Sequence, residues 1–189
     1  ITGDDASNYT LIQPTGLTAD ITAQELTIGG TFTASDKVYD GGTAATIDDN
    51  SLSLVTPEPG DTVTLSAVAV FADKTVGADK AVSLTGSTLA GADAGNYTLS
   101  MDGAPTTSAD ITAKELTVTD AVADDKVYDG DTDATISGST LVGAVDGDDV
   151  SLDATAGTFA QADVGSDIAV TASLTLTGAG RGNYTLGLR

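Results

Sequence analysis

A chain of 189 residues with 28 acidic against 7 basic side chains, a formal net charge of -21 and no His is too acidic to release counterions on a nucleic acid or to settle on anionic lipid. It has no Cys, so neither a disulfide framework nor a thiolate metal site can form, and no apolar run is long enough for membrane insertion as a helix. Thr is the commonest residue with 31 copies, Gly adds 22, Trp is absent and Phe occurs three times, which predicts strands rather than helices around a thin core of Ala, Val, Leu and Ile.

In chain order, residues 1–22 carry Asn-Tyr-Thr-Leu from Asn8, a turn signal at Pro14 and the strand-like segment 18–22, together read as the closing hairpin of a preceding repeat or as the opening element of the first. A first repeat is placed at 23–112 and a second at 113–189, because the chain resembles itself at a period of 87 to 90 residues. Asp-Ile-Thr-Ala-Gln-Glu-Leu-Thr from Asp20 returns with one change from Asp110. Asp-Lys-Val-Tyr-Asp-Gly from Asp36 returns unchanged from Asp125, and Asn-Tyr-Thr-Leu recurs from Asn96 and Asn183. The absence of an initiator Met and of a signal peptide suggests a piece of a longer chain.

The drift in offset locates irregularities. It is 90 between Glu25 and Glu115, 89 between Tyr39 and Tyr128, and 87 between Leu54 and Leu141, so a loop two residues shorter in the second copy is expected between Ile47 and Leu54. It returns to 88 between Phe71 and Phe159, where a single added residue in a strand-like run predicts a β-bulge. One face of a strand is formed by Val63, Leu65, Ala67, Ala69 and Phe71, and one in the second copy by Ile168, Val170, Ala172, Leu174 and Leu176. Pro105, like Pro14, marks a hairpin turn. No Gly/Ser or Pro-rich linker divides the copies, which predicts a stiff array rather than a jointed one. Six or seven short strands per period point to an all-β chain of two tandem small β-sandwich (immunoglobulin-like) repeats of about 88 residues, set end to end. A β-grasp-like unit with one short helix is the alternative.

These motifs, in this order, resemble the YDG-type repeats of large bacterial exported adhesins, which are related to the MBG repeats. The first copy matches at residues 25–28, 36–41, 45–47, 71–77 and 89–99; the second at 115–118, 125–130, 134–136, 159–165 and 176–186. The resemblance covers nearly the whole chain. It implies a repeat of a fibrous surface protein and no catalytic residues. Gly180 and Arg181 stand where the first copy has Asp93 and Ala94, so a role given to Asp93 does not carry over.

Enzymatic chemistry finds no His base, no Cys nucleophile and no phosphate-binding loop, so neither catalytic nor cofactor-binding residues are assigned and no cofactor is expected. The five tyrosines, Tyr9, Tyr39, Tyr97, Tyr128 and Tyr184, all fall within repeated motifs and are read as half-buried structural rings with bonded hydroxyls. Asp40–Gly41 and Asp129–Gly130 are read as turns. Asp146, Asp148 and Asp149 are weak calcium candidates, since clustered carboxylates supply hard oxygen ligands, although only Asp61 survives in the first copy. Glu25, Lys37 and Asn96, with Glu115, Lys126 and Asn183, have the residue types of a Lys–Asn amide cross-link. The simpler reading of each Lys is an apolar stem with a solvated head.

The expected function is that of non-catalytic stalk repeats in a bacterial surface or secreted adhesin, a stiff spacer serving cell adhesion or biofilm formation, located extracellularly. Neighbouring repeats are the expected partners, a glycan or protein receptor being met by other domains. The competing expectation is that the repeats themselves bind calcium, a glycan or a host or matrix protein. The second repeat lacks the Ala-Asp-Ile-Thr strand that follows the earlier two Asn-Tyr-Thr-Leu segments, which predicts an open sheet edge for residues 18–22 of another chain; otherwise residues 1–22 pack on the first unit.

Overall fold

The computed structural model describes residues 1–187. Its first unit contains β1 (Gln24–Gly29), β2 (Phe32–Ala34), β3 (Lys37–Val38), β4 (Ala44–Ala45), β5 (Ile47–Asn50), β6 (Ser53–Val55), β7 (Thr64–Ser66), β8 (Ala69–Phe71), β9 (Gly77–Ser83), β10 (Thr88–Ala90), β11 (Tyr97–Ser100) and β12 (Thr107–Thr112). The second contains β13 (Lys114–Thr119), β14 (Val122–Ala123), β15 (Asp133–Ser137), β16 (Thr140–Val142), β17 (Ser151–Phe159), β18 (Val170–Thr177) and β19 (Tyr184–Leu186). The helical elements among the described residues are 3-10 turns at Ala6–Asn8, Ala94–Asn96 and Ala179–Asn183, which removes the β-grasp alternative and its helix. Among the described residues no helix is long and apolar enough to cross a membrane.

Each unit is sandwich-like, the first with two larger sheets and the two-stranded pairs β10-β7 and β2-β5. In the first, β1 lies between β11, to which it runs parallel, and the antiparallel β6; the facing sheet has the order β3-β12-β9-β8-β4. Alternation along β1 buries Leu26 and Ile28, and the strand stops at Gly29–Gly30. Gly30 has φ +88, and a Cβ there would come 2.1 Å from the Ser51 carbonyl oxygen, so the chain can turn this close to β5 only without a side chain. Ile28, Phe71, Val82, Leu84 and Ile111 fill the space between the sheets, and the same cluster continues through Tyr39 into Leu116 and Tyr184 of the second unit. The second unit repeats the first sheet as β16-β13-β19; its other sheet, β14-β15-β17-β18, joins the counterparts of β2, β4 and β5, β8 and β9 in one sheet without those of β3 and β12.

Several expectations meet the structure directly. The register of β17 on β18 shifts between Asp153 and Ala156, inside the run where the added residue predicts a bulge. Only Ala113 separates β12 from β13, although the two strands belong to different units.

Others are corrected. The stretch between Ile47 and Leu54 is not a plain loop: β5 pairs with β2 and β6 with β1, the turn is as long as the one between β15 and β16, and the length difference lies in β5, which runs on to Asn50 with a register shift against β2. The run from Val63 to Phe71 is interrupted, because the backbone N–H of Val68 turns to Ser87 Oγ at 2.9 Å instead of to a ladder. Pro105 does not close a hairpin, since β11 and β12 lie in opposite sheets and the segment between them crosses the sandwich. The N-terminal hairpin does not form either. Residues 1–22 contain one 3-10 turn and no strand, none of them is buried, and so they do not pack on the first unit as its opening element.

Candidate functional site

The repeated Asp-Lys-Val-Tyr-Asp-Gly segment is a device for holding one tyrosine at the end of a unit. Asp36 Oδ1 accepts from the Asp110 N–H at 2.7 Å, tying the segment to β12, and the Tyr39 N–H donates to the Thr112 carbonyl at 2.9 Å. Lys37 Nζ then closes the turn from inside, donating to Asp40 Oδ1 at 2.7 Å, to the Gly42 carbonyl at 2.8 Å and to the Ala44 carbonyl at 3.2 Å, while lying 5.5 Å from the Phe71 ring centroid. Asp40 Oδ1 also accepts from the Gly42 N–H, and Gly41 takes φ +81, the Asp-Gly turn expected from the sequence. Together the Lys37 ammonium and the Gly42 N–H hold the Asp40 carboxyl below the usual carboxylate range.

Tyr39 leaves this turn and enters the second unit. Its ring meets that of Tyr184 edge to face, with centroids 5.4 Å apart at 81°, and both hydroxyls donate to the same oxygen, Asp148 Oδ2, at 2.7 and 2.6 Å. Such charge-assisted bonds are the stronger kind. The donations from Tyr184 and Tyr39 hold the Asp148 carboxyl below its ordinary value, with Lys74 Nζ 3.7 Å from Oδ1 adding to the effect. Burial first, then the bond to Asp148, pushes the Tyr39 hydroxyl up to about 12, and the same two causes raise Tyr184. The Tyr184 hydroxyl accepts from the Val145 N–H at 3.0 Å, and Asn183 Oδ1 accepts from the Val76 N–H at 3.1 Å, a further bond between units. The junction is therefore a packed and hydrogen-bonded interface.

Half of the arrangement exists at each free end. Tyr97 donates to Asp61 Oδ2 at 2.6 Å and accepts from the Glu58 N–H, as Tyr184 does with Asp148 and Val145, and the bond to Asp61 raises its hydroxyl. At the other end Lys126 Nζ holds Asp129 and Asp131, at 2.8 and 2.5 Å, above the Phe159 ring, so the second turn is built like the first. Yet Tyr128 is 61% exposed where Tyr39 is 2% exposed. The expectation of five half-buried tyrosines thus fails at Tyr9 and Tyr128, which are exposed.

The calcium candidates are not brought together. Asp148 is occupied by two hydroxyls, Asp149 Oδ2 accepts from the Ala179 N–H at 2.8 Å, and among the described residues no three carboxylates gather closely enough to hold a cation. The cross-link trio is also dispersed: Lys37 and Lys126 point to the carboxylates and carbonyls of their own turns, and Asn183 to Val76. Asp93 proves to have a local role, its Oδ2 accepting from the Thr62 N–H at 2.8 Å. The second unit exchanges the partners, since Gly180 lacks a carboxylate and Asp149, at the position of Thr62, supplies one.

Gly41 gives the junction a built-in control. A Cβ there would lie 2.8 Å from Val145 Cγ1, whereas one at Gly130, with φ +88, would meet nothing within 4 Å. Both Gly→Ala changes carry backbone strain of roughly 1–2 kcal/mol. Gly41→Ala adds overpacking of about 1–3 kcal/mol, so urea titration should find it the more destabilising of the two; equal losses would contradict the packing described.

A cleft of about 670 Å³ lies in the second unit between the segment from Ala123 to Tyr128 and that from Phe159 to Val170. It occupies the place that β12 fills in the first unit, where β3 and β9 flank that strand.

Comparison with known proteins adds the family. No curated protein and no solved structure matches the chain. The YDG domain model matches twice, at residues 22–108 and 112–188, one match per sandwich, and the chain with its two Tyr-Asp-Gly turns therefore belongs to the YDG domain family.

Proposed function

We propose that the two units form a stiff, non-catalytic spacer of the stalk of a bacterial secreted or cell-surface adhesin, holding a distal binding domain away from its anchor. The observation that carries this reading is the junction: one residue between β12 and β13, and a core that runs through Tyr39 to Tyr184 without a break. An array joined in this way transmits orientation from unit to unit, which a Gly/Ser linker does not. The acidic surface, with a net charge of -21, and the absence of Cys suit a long exported chain that must neither aggregate nor cross-link. The motif resemblance to repeats of exported adhesins supports the same setting.

Backbone ¹⁵N relaxation tests the stiffness. Both units should report one shared rotational diffusion tensor, with no added nanosecond motion at Ala113. Two independent tensors would remove the spacer reading.

A further inference from the structure

The junction places two phenols from different units against one another inside a buried cluster. Tyr39 comes from the turn that follows β3, and Tyr184 opens β19, so the chain between them runs through both units. Their ring centroids are 5.4 Å apart. Both hydroxyls donate to Asp148 Oδ2, at 2.7 and 2.6 Å, which draws the hydroxyl ends of the rings together. The carbons ortho to each hydroxyl flank those ends and are the ring positions best placed to meet. The interplanar angle of 81° is no obstacle, because the rings of a biphenol are twisted about the bond that joins them.

The surroundings favour coupling of this pair over other fates. Both rings are buried, so a radical on either is kept from water and from the tyrosines of other chains. Phe71, Ile111 and Leu116, in the same cluster, carry no phenol to compete. A tyrosine gives up an electron more readily when a base within hydrogen-bond reach can take its hydroxyl proton, and Asp148 stands in that position to both. The Asp148 side chain is 10% exposed, which lets the proton pass on to solvent.

We propose that Tyr39 and Tyr184 are a site of oxidative modification, coupling to a dityrosine that covalently joins the two units. The oxidant is a one-electron acceptor such as a peroxide-derived radical, and two equivalents are consumed. Each tyrosine loses one electron to the oxidant and its hydroxyl proton through Asp148. The two phenoxyl radicals then join ortho carbon to ortho carbon, and the ring hydrogen on each of these carbons leaves as a proton while the adjacent oxygen regains one. One C–C bond forms, two C–H bonds break, and the chain ends lighter by two hydrogens. The link gives the junction a second covalent path beside Ala113. It needs only the junction, whether or not the array serves as a spacer.

Photo-oxidation of dilute Tyr9→Phe/Tyr128→Phe chain with tris-bipyridyl ruthenium and persulfate is the test, since those two tyrosines are exposed and would otherwise link separate chains. The monomer recovered under denaturing conditions should be lighter by two hydrogens, show the blue fluorescence of dityrosine, and yield a cross-linked peptide pair containing Tyr39 and Tyr184. Adding Tyr39→Phe should abolish all three signals. Treatment of the chain already unfolded in urea should cut the yield by roughly tenfold or more, because nothing then holds the rings together. The linked monomer should also need more urea to unfold than the untreated one, its unfolded state being held as a closed loop. A monomer that keeps both hydrogens, a link mapped to other residues, or an equal yield from the unfolded chain would each overturn the proposal. None of these outcomes touches the spacer reading, which the relaxation measurement decides.

Discussion

Tyr39→Ala should lower the stability of the chain by about 3–5 kcal/mol and separate the unfolding of its two units, while Tyr128→Ala should change stability by less than about 0.5 kcal/mol. The two residues occupy the same place in identical hexapeptides, so propensity, turn chemistry and the unfolded chain are matched between them. What differs is the surroundings. Tyr39 is buried against Tyr184 and bonded to Asp148, and its removal opens a cavity in the one cluster that spans both sandwiches. Tyr128 meets solvent. Tyr39→Phe keeps the ring and removes a hydrogen bond to a charged group, for which about 1.5–3 kcal/mol is the usual loss. Urea titrations followed at one probe in each unit provide the readout. The intact chain should give coincident transitions, and Tyr39→Ala two separated ones. Equal effects at Tyr39 and Tyr128 would show that the ring acts only within its own turn.

Alkaline pH should loosen the same junction. The Tyr39 hydroxyl is pushed from an ordinary 10.0 up to about 12, so the folded state favours its neutral form. A group raised on folding contributes stability that is complete below its unfolded value and is lost as pH climbs through its folded value. The loss therefore falls between about pH 10 and pH 12. Tyr184, raised by burial and by Asp148, adds in the same direction. Asp148 acts with the opposite sign: its carboxyl is lowered by the two tyrosines, so its contribution is present above the ordinary carboxylate value and fades as the solution is acidified below it. Lysines titrate in the alkaline range too, and the difference between the native chain and Tyr39→Phe isolates the tyrosine. Unfolding free energies measured across this range should converge as pH rises. Parallel curves would mean that Tyr39 ionises as freely in the fold as out of it.

Much of this was legible in the sequence because the repeat compares the chain with itself. The bulge near Asp153 follows from a one-residue change of offset, and the Asp40–Gly41 turn from residue types whose local bonding is well defined. The parts that were hidden depend on partners far along the chain. Tyr39 and Tyr128 cannot be told apart locally, because what buries Tyr39 is Tyr184 and Asp148 in the next unit. Asp148 looked like a calcium ligand for the same reason: its carboxylate is bound by hydroxyls that sequence spacing does not bring near. Pro105 carries a valid turn signal between two strand-like runs, but the signal is silent on whether they pair or pass to opposite sheets. The exchange of Asp93 for Asp149 could have been found by asking which position gains a carboxylate when Gly180 loses one.

Small-angle X-ray scattering, extrapolated to zero concentration, tests stiffness and alignment most directly. Two sandwiches held end to end by the Tyr39 junction predict a single rod about twice the length of one sandwich, with the cross-section of one sandwich. A compact globular profile, or one that only an ensemble of bent two-unit shapes can fit, would contradict it.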